Sequence, residues 1–237
     1  MGLFNPEPRI EQVKLANGLC CFVIDHAFLD PDRMLRFAAD NRYQFRYVDF
    51  NAYPGIFLLT PDIGIQLNQF FSRHIRRLFD ARRTLHMHCR LSMVTLPPGS
   101  LRPYQRMCHR DNAVLDPRHS IQASILYLFK DEGLGGTSFY EPARPGEEMA
   151  QLFTDASTLP SNEFDHKYEF HSGYMVGSNR YFTCVGTVPP KWNRIVFYDG
   201  YMLHSGDILA PDRLSDDPLF GRLTLNAFFT SRRNLTR

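Results

Sequence analysis

The sequence predicts a mainly β protein, an antiparallel barrel or jelly roll, with helices flanking it. Three observations point there. Aromatic residues reach 14%, with 20 Phe and 11 Tyr against a single Trp, and large rings favour pleated, half-buried surfaces. The hydrophobic period changes from three-and-four to two near residue 85. From there on, Gly, Pro, Asn and Asp clusters separate short apolar runs, as between the strands of an antiparallel barrel.

Taken in order, the run Leu19-Cys-Cys-Phe-Val-Ile24 has strand length. Asp30-Pro31 then reads as an N-cap followed by proline at the first helical position, with Met34, Leu35, Phe37 and Ala38 as the apolar face. After Thr60-Pro61, residues Leu67, Phe70, Phe71, His74, Ile75, Leu78 and Phe79 step by three and four, the stripe of a second helix. Its other face is assigned Arg73, Arg76, Arg77, Arg82 and Arg83, a solvated basic run. Leu85 to Leu96 alternates and stops at Pro97-Pro98-Gly99. Further strands are expected at Ile121–Phe129, Thr137–Tyr140, Tyr181–Val188, Arg194–Tyr198 and Leu223–Thr230. Residues 141–170 interrupt the series with an acidic insertion and a short helix around Glu147–Ala156, either a lid over a site or decoration.

No composition shift marks a boundary, so residues 1–237 read as one domain: a strand and supporting helices over 1–84, the β core over 85–237. A net charge of +2 gives no electrostatic footprint for nucleic acid. No run approaches ~18 apolar residues, so no membrane span is expected. The opening stretch MGLFNPEPRIEQVK lacks the apolar run of a signal peptide. Five irregularly spaced cysteines, at 20, 21, 89, 108 and 184, read as reduced thiols. Together these predict a cytoplasmic protein.

His109-Arg-Asp111 places two metal-capable side chains on the same side of an extended segment. Downstream, Asn193 to Asp199 leads through Gly200 to Leu203-His204-Ser205, and Gly221-Arg-Leu-Thr-Leu-Asn226 sets Arg222 and Thr224 on one face of a strand. Two histidines and one carboxylate, from a His-x-Asp and a distant His, make the facial triad of non-heme Fe(II) oxygenases, which leaves three coordination positions open. That suits a bidentate keto acid plus dioxygen. A downstream Arg meets the far carboxylate of 2-oxoglutarate with two parallel hydrogen bonds, and a threonine hydroxyl adds another.

These stretches resemble the 2-oxoglutarate/Fe(II)-dependent dioxygenase superfamily, especially its prolyl 4-hydroxylase-like branch. The likeness is carried by Val23 to Pro31, by His109-x-Asp111 followed by Ser124-Ile-Leu-Tyr-Leu and Gly135-Gly-Thr-Ser-Phe139, and by Arg194–Asp199 with His204 and Arg222-x-Thr224. It implies a double-stranded β-helix (jelly roll) with the helices of residues 30–80 packed on one sheet. It also implies Fe(II) held by His109, Asp111 and His204, with 2-oxoglutarate as co-substrate held by Arg222 and Thr224. Tyr104 matches a tyrosine that often helps hold the co-substrate in this branch, and Tyr127 is a second candidate. Many members of the branch use Lys where this chain has Arg222. The implied activity is hydroxylation of a peptide, amino-acid or other small-molecule C–H bond with release of succinate and CO2. An intact Asp111 favours hydroxylation over halogenation.

Other residues are expected to be quieter. His86 and His88 alternate on one strand face without a nearby carboxylate and read as packing or rim positions, and Cys108 reads as a small buried hydrophobe. His119, His166 and His171 fall in or near loops, while Arg118 and Gln122 are candidate substrate contacts. Two rival readings stand beside the oxygenase: a non-catalytic jelly-roll binding module, and a cupin-like metal enzyme independent of 2-oxoglutarate. The oligomeric state is left open.

Overall fold

Alternating residues with two different partners decide the architecture. In the computed structural model, which describes residues 2–49, 52–111 and 116–234, β11 (Arg222–Arg233) pairs antiparallel with both β5 (Ala81–Val94) and β6 (His119–Tyr127). Its odd-numbered residues Leu223, Leu225, Ala227 and Phe229 enter one core, and its even-numbered residues face the other way. Around this centre lies an eight-stranded sheet. It adds β1 (Glu11–Lys14), β2 (Cys20–Ile24) and β9 (Ile195–Asp199) on one side, and β3 (Arg46–Tyr47) and β4 (Gly55–Leu59) on the other, in the order β1-β2-β9-β6-β11-β5-β4-β3. A smaller sheet, β10-β7-β8, comprises β7 (Thr137–Pro142), β8 (Phe182–Val188) and β10 (Leu203–Gly206). The two sheets form the expected jelly roll.

The outer face of the large sheet is covered by helices, as expected. Helix α1 (Pro31–Asp40) starts where Asp30 accepts a hydrogen bond from the Arg33 amide at 2.9 Å, with Pro31 supplying the helical φ. Helix α2 (Pro61–His74) buries Ile63, Leu67, Phe70 and Phe71. Phe71 stacks on Phe229 with ring centroids 4.0 Å apart. The helix ends at His74, so Arg82 and Arg83 lie on β5 and not on a helical face, and Leu78 is 46% exposed. Strand β5 also begins four residues before the expected Leu85. The short strands β1, β3, β4 and β10 are additions to the sequence reading; each has five residues or fewer, too few for alternation to register.

Between the sheets, Ala123, Tyr127, Val196 and Tyr198 meet Phe139, Val185 and Val188 in a second core. That core fills only one end of the sandwich. A third cluster joins the outer side of the small sheet, through Tyr140, Phe182 and Leu203, to the insertion. The insertion holds two helices where one was expected, α3 (Gly146–Thr158) and α4 (Ser161–Tyr168). Among the described residues, no helix is long and apolar enough to cross a membrane.

Candidate metal centre and cavity

The unfilled end of the sandwich is a cavity of about 640 Å³, within the range of small-molecule sites. His109, Asp111 and His204 meet at its wall. His109 and His204 form an isolated antiparallel bridge, with each amide donating to the other's carbonyl at 3.0 and 2.9 Å. Asp111 is drawn in by its amide, which donates to the Gly200 carbonyl at 2.9 Å. A Cβ at position 200 would come within 3.1 Å of the Asp111 Cβ, so glycine permits this approach. One ligand atom from each of the three residues lies within 4.8 Å of the others.

Electrostatics prepare the trio for a cation. Burial pushes both imidazoles down to about 4; at His109 the neighbouring His204 adds to this effect and Asp111 opposes it. His109 is the exposed member of the trio, whereas Asp111 and His204 are 9% and 4% exposed. Burial raises the Asp111 carboxyl to about 6, against the pull of His109 and Arg90. Near neutral pH the site therefore holds two neutral imidazoles and one carboxylate. The His204 Nδ1 sits 2.9 Å from the Met202 carbonyl, which fixes its proton there and leaves the Nε2 lone pair free, as in metal-ligating histidines. That Nε2 lies 3.7 Å from Asp111 Oδ2, a buried oxygen without a hydrogen-bond partner among the described residues. A buried bare carboxylate oxygen is costly; a divalent cation between these atoms relieves that cost, so the donor set fits a metal.

Arg222 lines the same cavity and is 3% exposed. Its Nε donates to the carbonyls of Leu134 and Gly135 at 3.0 and 3.1 Å, and its Nη2 donates to Gly136 at 2.8 Å. The Gly135-Gly136 turn makes this possible. Gly135 has φ +81°, and a Cβ there would lie 1.5 Å from the Asp207 carbonyl oxygen. The turn engages the Nε–H and one Nη2–H, so the Nη1/Nη2 end remains able to receive a carboxylate edge-on. Thr224 is fully buried and its hydroxyl donates to the Ser92 carbonyl at 3.3 Å. Tyr104 lines the cavity, its hydroxyl accepting from Arg102 at 3.3 Å. Tyr127 lies in the core between the sheets, its hydroxyl 2.8 Å from that of Thr137.

The two candidate substrate contacts are corrected. Arg118 is exposed and paired with Asp116 at 2.7 Å. Gln122 is 1% exposed, donates to Ser120 at 2.8 Å and sits opposite Phe229, on the sheet's helix side. Conversely, Tyr53, Arg90, Tyr174 and Asn226 line the cavity, although nothing in the sequence reading singled them out. The usable signal was the polar phase of the Leu85–Leu96 alternation, His86, His88, Arg90 and Ser92; it reads as a solvent face unless a second sheet stands opposite.

None of residues 141–170 lines the cavity. The insertion instead braces the segment that carries the ligands. Arg106, its side chain 4% exposed, donates twice from Nη1 to Asp165 of α4, at 2.7 and 2.8 Å, and its Nε donates to Leu101 at 2.9 Å. The Cys108 amide contacts the Met175 sulfur at 3.2 Å. These ties fix the chain just before His109.

Comparison with solved structures agrees with this architecture. The chain is similar in fold to SnoK, a non-heme alpha-ketoglutarate-dependent carbocyclase from nogalamycin biosynthesis, at a TM-score of 0.52 and 13% identity over 90% of this chain and 81% of that one. It also aligns with a Pseudomonas putida prolyl-4-hydroxylase, at a TM-score of 0.45 and 15% identity over 91% and 93% of the chains. A viral collagen prolyl hydroxylase from Paramecium Bursaria Chlorella virus-1, solved with 2-oxoglutarate, aligns at a TM-score of 0.47 and 13% identity over 93% and 99%. At these identities the likeness is one of fold, and the SnoK comparison carries it. No curated protein matches the sequence. The model of DUF6445, described as a family of unknown function, matches residues 6–229, and the chain belongs to that family.

Proposed function

We propose that the protein is a 2-oxoglutarate- and Fe(II)-dependent oxygenase that hydroxylates a C–H bond of a peptide, an amino acid or another small molecule. The observation that carries this reading is the bare Asp111 Oδ2 beside the unprotonated His204 Nε2, at the wall of a cavity that also contains Arg222. His109, Asp111 and His204 would hold the iron, and their placement on one side leaves positions for a chelating keto acid and dioxygen. Bound iron supplies dioxygen activation coupled to decarboxylation of 2-oxoglutarate to succinate and CO2.

The chain's residues account for the rest. Arg222 receives the distal carboxylate of 2-oxoglutarate through its Nη1/Nη2 end, and the three backbone carbonyls hold the guanidinium in that pose. Tyr104 borders the co-substrate from the cavity side, and the fully buried Thr224 and Tyr127 lie outside the cavity lining. Tyr198, tilted against His204 with ring centroids 4.6 Å apart, keeps that imidazole aligned. The test is succinate release from 2-oxoglutarate under air. It should require Fe(II) and vanish in His109→Ala. Full turnover and metal retention in that variant would overturn the reading.

A further inference from the structure

Besides Arg222, the cavity is lined by Arg110, which lies over the Tyr201 ring at 5.8 Å, and by Arg90. Arg90 on β5 stands directly opposite Asn226 on β11. Arg222 lies four residues further along that strand, roughly 13 Å away at the rise of an extended chain. Their surroundings also differ: Arg222 is anchored by three carbonyls, whereas the Arg90 guanidinium lies over the rings of Phe57, Tyr53 and Phe228 at 4.8, 5.3 and 5.6 Å. Among the described residues no carboxylate or other acceptor hydrogen-bonds to it, and its Nε is buried. Asn226 supplies an independent sign. It is 7% exposed, lines the cavity, and its side-chain oxygen is buried without a partner.

Buried donors and acceptors left unmatched on one cavity wall are costly in the empty protein and are matched by a ligand. We propose that Arg90 and Asn226 form the substrate's anchoring subsite, and that the substrate is a small molecule bearing a carboxylate. The guanidinium takes the carboxylate, and Asn226 takes an N–H or O–H next to it. The aromatic walls suit an apolar body between this anchor and the metal trio. A single arginine, without a lysine or helix N-terminus beside it, matches one negative charge better than a phosphate dianion. This inference rests on the oxygenase reading for the identity of the bound molecule as substrate.

The probe is benzoate, with benzamide as its neutral isostere, followed by ligand-observed NMR on protein saturated with Zn(II) and N-oxalylglycine, so that Arg222 is already occupied. Benzoate should bind the wild type at least tenfold more tightly than benzamide does. Its Kd should rise at least tenfold in Arg90→Gln and less in Arg90→Lys, which keeps the charge; thermal melts confirm that both variants are folded. Three results would each overturn the proposal: no benzoate binding by the wild type, equal affinity for benzamide, or an unchanged Kd in Arg90→Gln. So would loss of N-oxalylglycine binding in Arg90→Gln with retention in Arg222→Gln, since Arg90 would then hold the co-substrate. Failure of the oxygenase reading shows separately, as absence of Zn(II) and N-oxalylglycine binding in the wild type. Benzoate titration of the metal-free protein then decides the anchor alone.

Discussion

The two faces of β11 use one backbone for opposite ends. On the helix side, Leu223, Leu225, Ala227 and Phe229 are fully buried against α2 and its neighbours. On the cavity side, Arg222, Thr224 and Asn226 are nearly as buried, yet all are polar. Burial alone does not separate a core from a site. Side-chain chemistry does: the four helix-side residues carry no polar side-chain atom, whereas the cavity side carries the unmatched oxygen of Asn226 opposite the unmatched Nε of Arg90. One face should govern stability and the other ligand affinity.

Substitutions can break or sharpen that division. The largest effect is expected from Phe229→Ala, which removes the ring stacked on Phe71 and should cost about 3–5 kcal/mol of stability in a denaturant titration. If the faces are independent, the folded fraction of that variant still binds 2-oxoglutarate with wild-type affinity. Arg222→Gln is the mixed case. Truncating one partner of a buried charge pair costs roughly 2–4 kcal/mol of binding, about 30- to 1000-fold in 2-oxoglutarate affinity by calorimetry. The same variant also loses stability, because it releases the Leu134, Gly135 and Gly136 carbonyls.

Asp25→Asn tests a position outside both faces. The Arg194 guanidinium, 2.6 Å away, and then Lys191 hold the Asp25 carboxyl down to about 2. A depressed carboxyl stabilises the fold above its unfolded value and loses that contribution as pH falls through the folded one. The variant should therefore be less stable by roughly 1 kcal/mol above about pH 4, a figure discounted for partial exposure, with the gap closing toward pH 2. The smallest change in stability is expected at Asp111→Asn. Removing an unpartnered buried charge should leave the metal-free protein within about 1 kcal/mol of wild type, or more stable, while metal binding is lost. A large destabilisation there would make Asp111 a structural residue.

The sequence disclosed one face of this division better than the other. Period-two alternation located β5, and short apolar runs between turn clusters located β6, β7, β8, β9 and β11 within a few residues. His109-x-Asp111, His204 and Arg222 were legible because metal and carboxylate chemistry restricts residue type and order, and the structure brings them to one cavity. Arg90 and Asn226 were not. Both sit in the polar phase of their strands, and only the small sheet standing opposite makes that phase an interior. The same limit explains Gln122: its place at the start of a cavity-lining strand suggested the cavity, but its register with Phe229 places it on the helix side. The role of residues 141–170 was equally hidden, since it depends on a contact 59 positions apart.

That contact has a consequence for motion. If α4 detached from the body, Arg106 would be left as a buried charge without its carboxylate, a state costing several kcal/mol. Leaving that state requires the turn at Pro103–Arg106 to open as well, which releases the chain three residues before His109. The outer helices and the ligand-bearing segment thus share a single opening event. A ligand or protein that seats on the far side of the small sheet would change how firmly the metal trio is held without approaching the cavity.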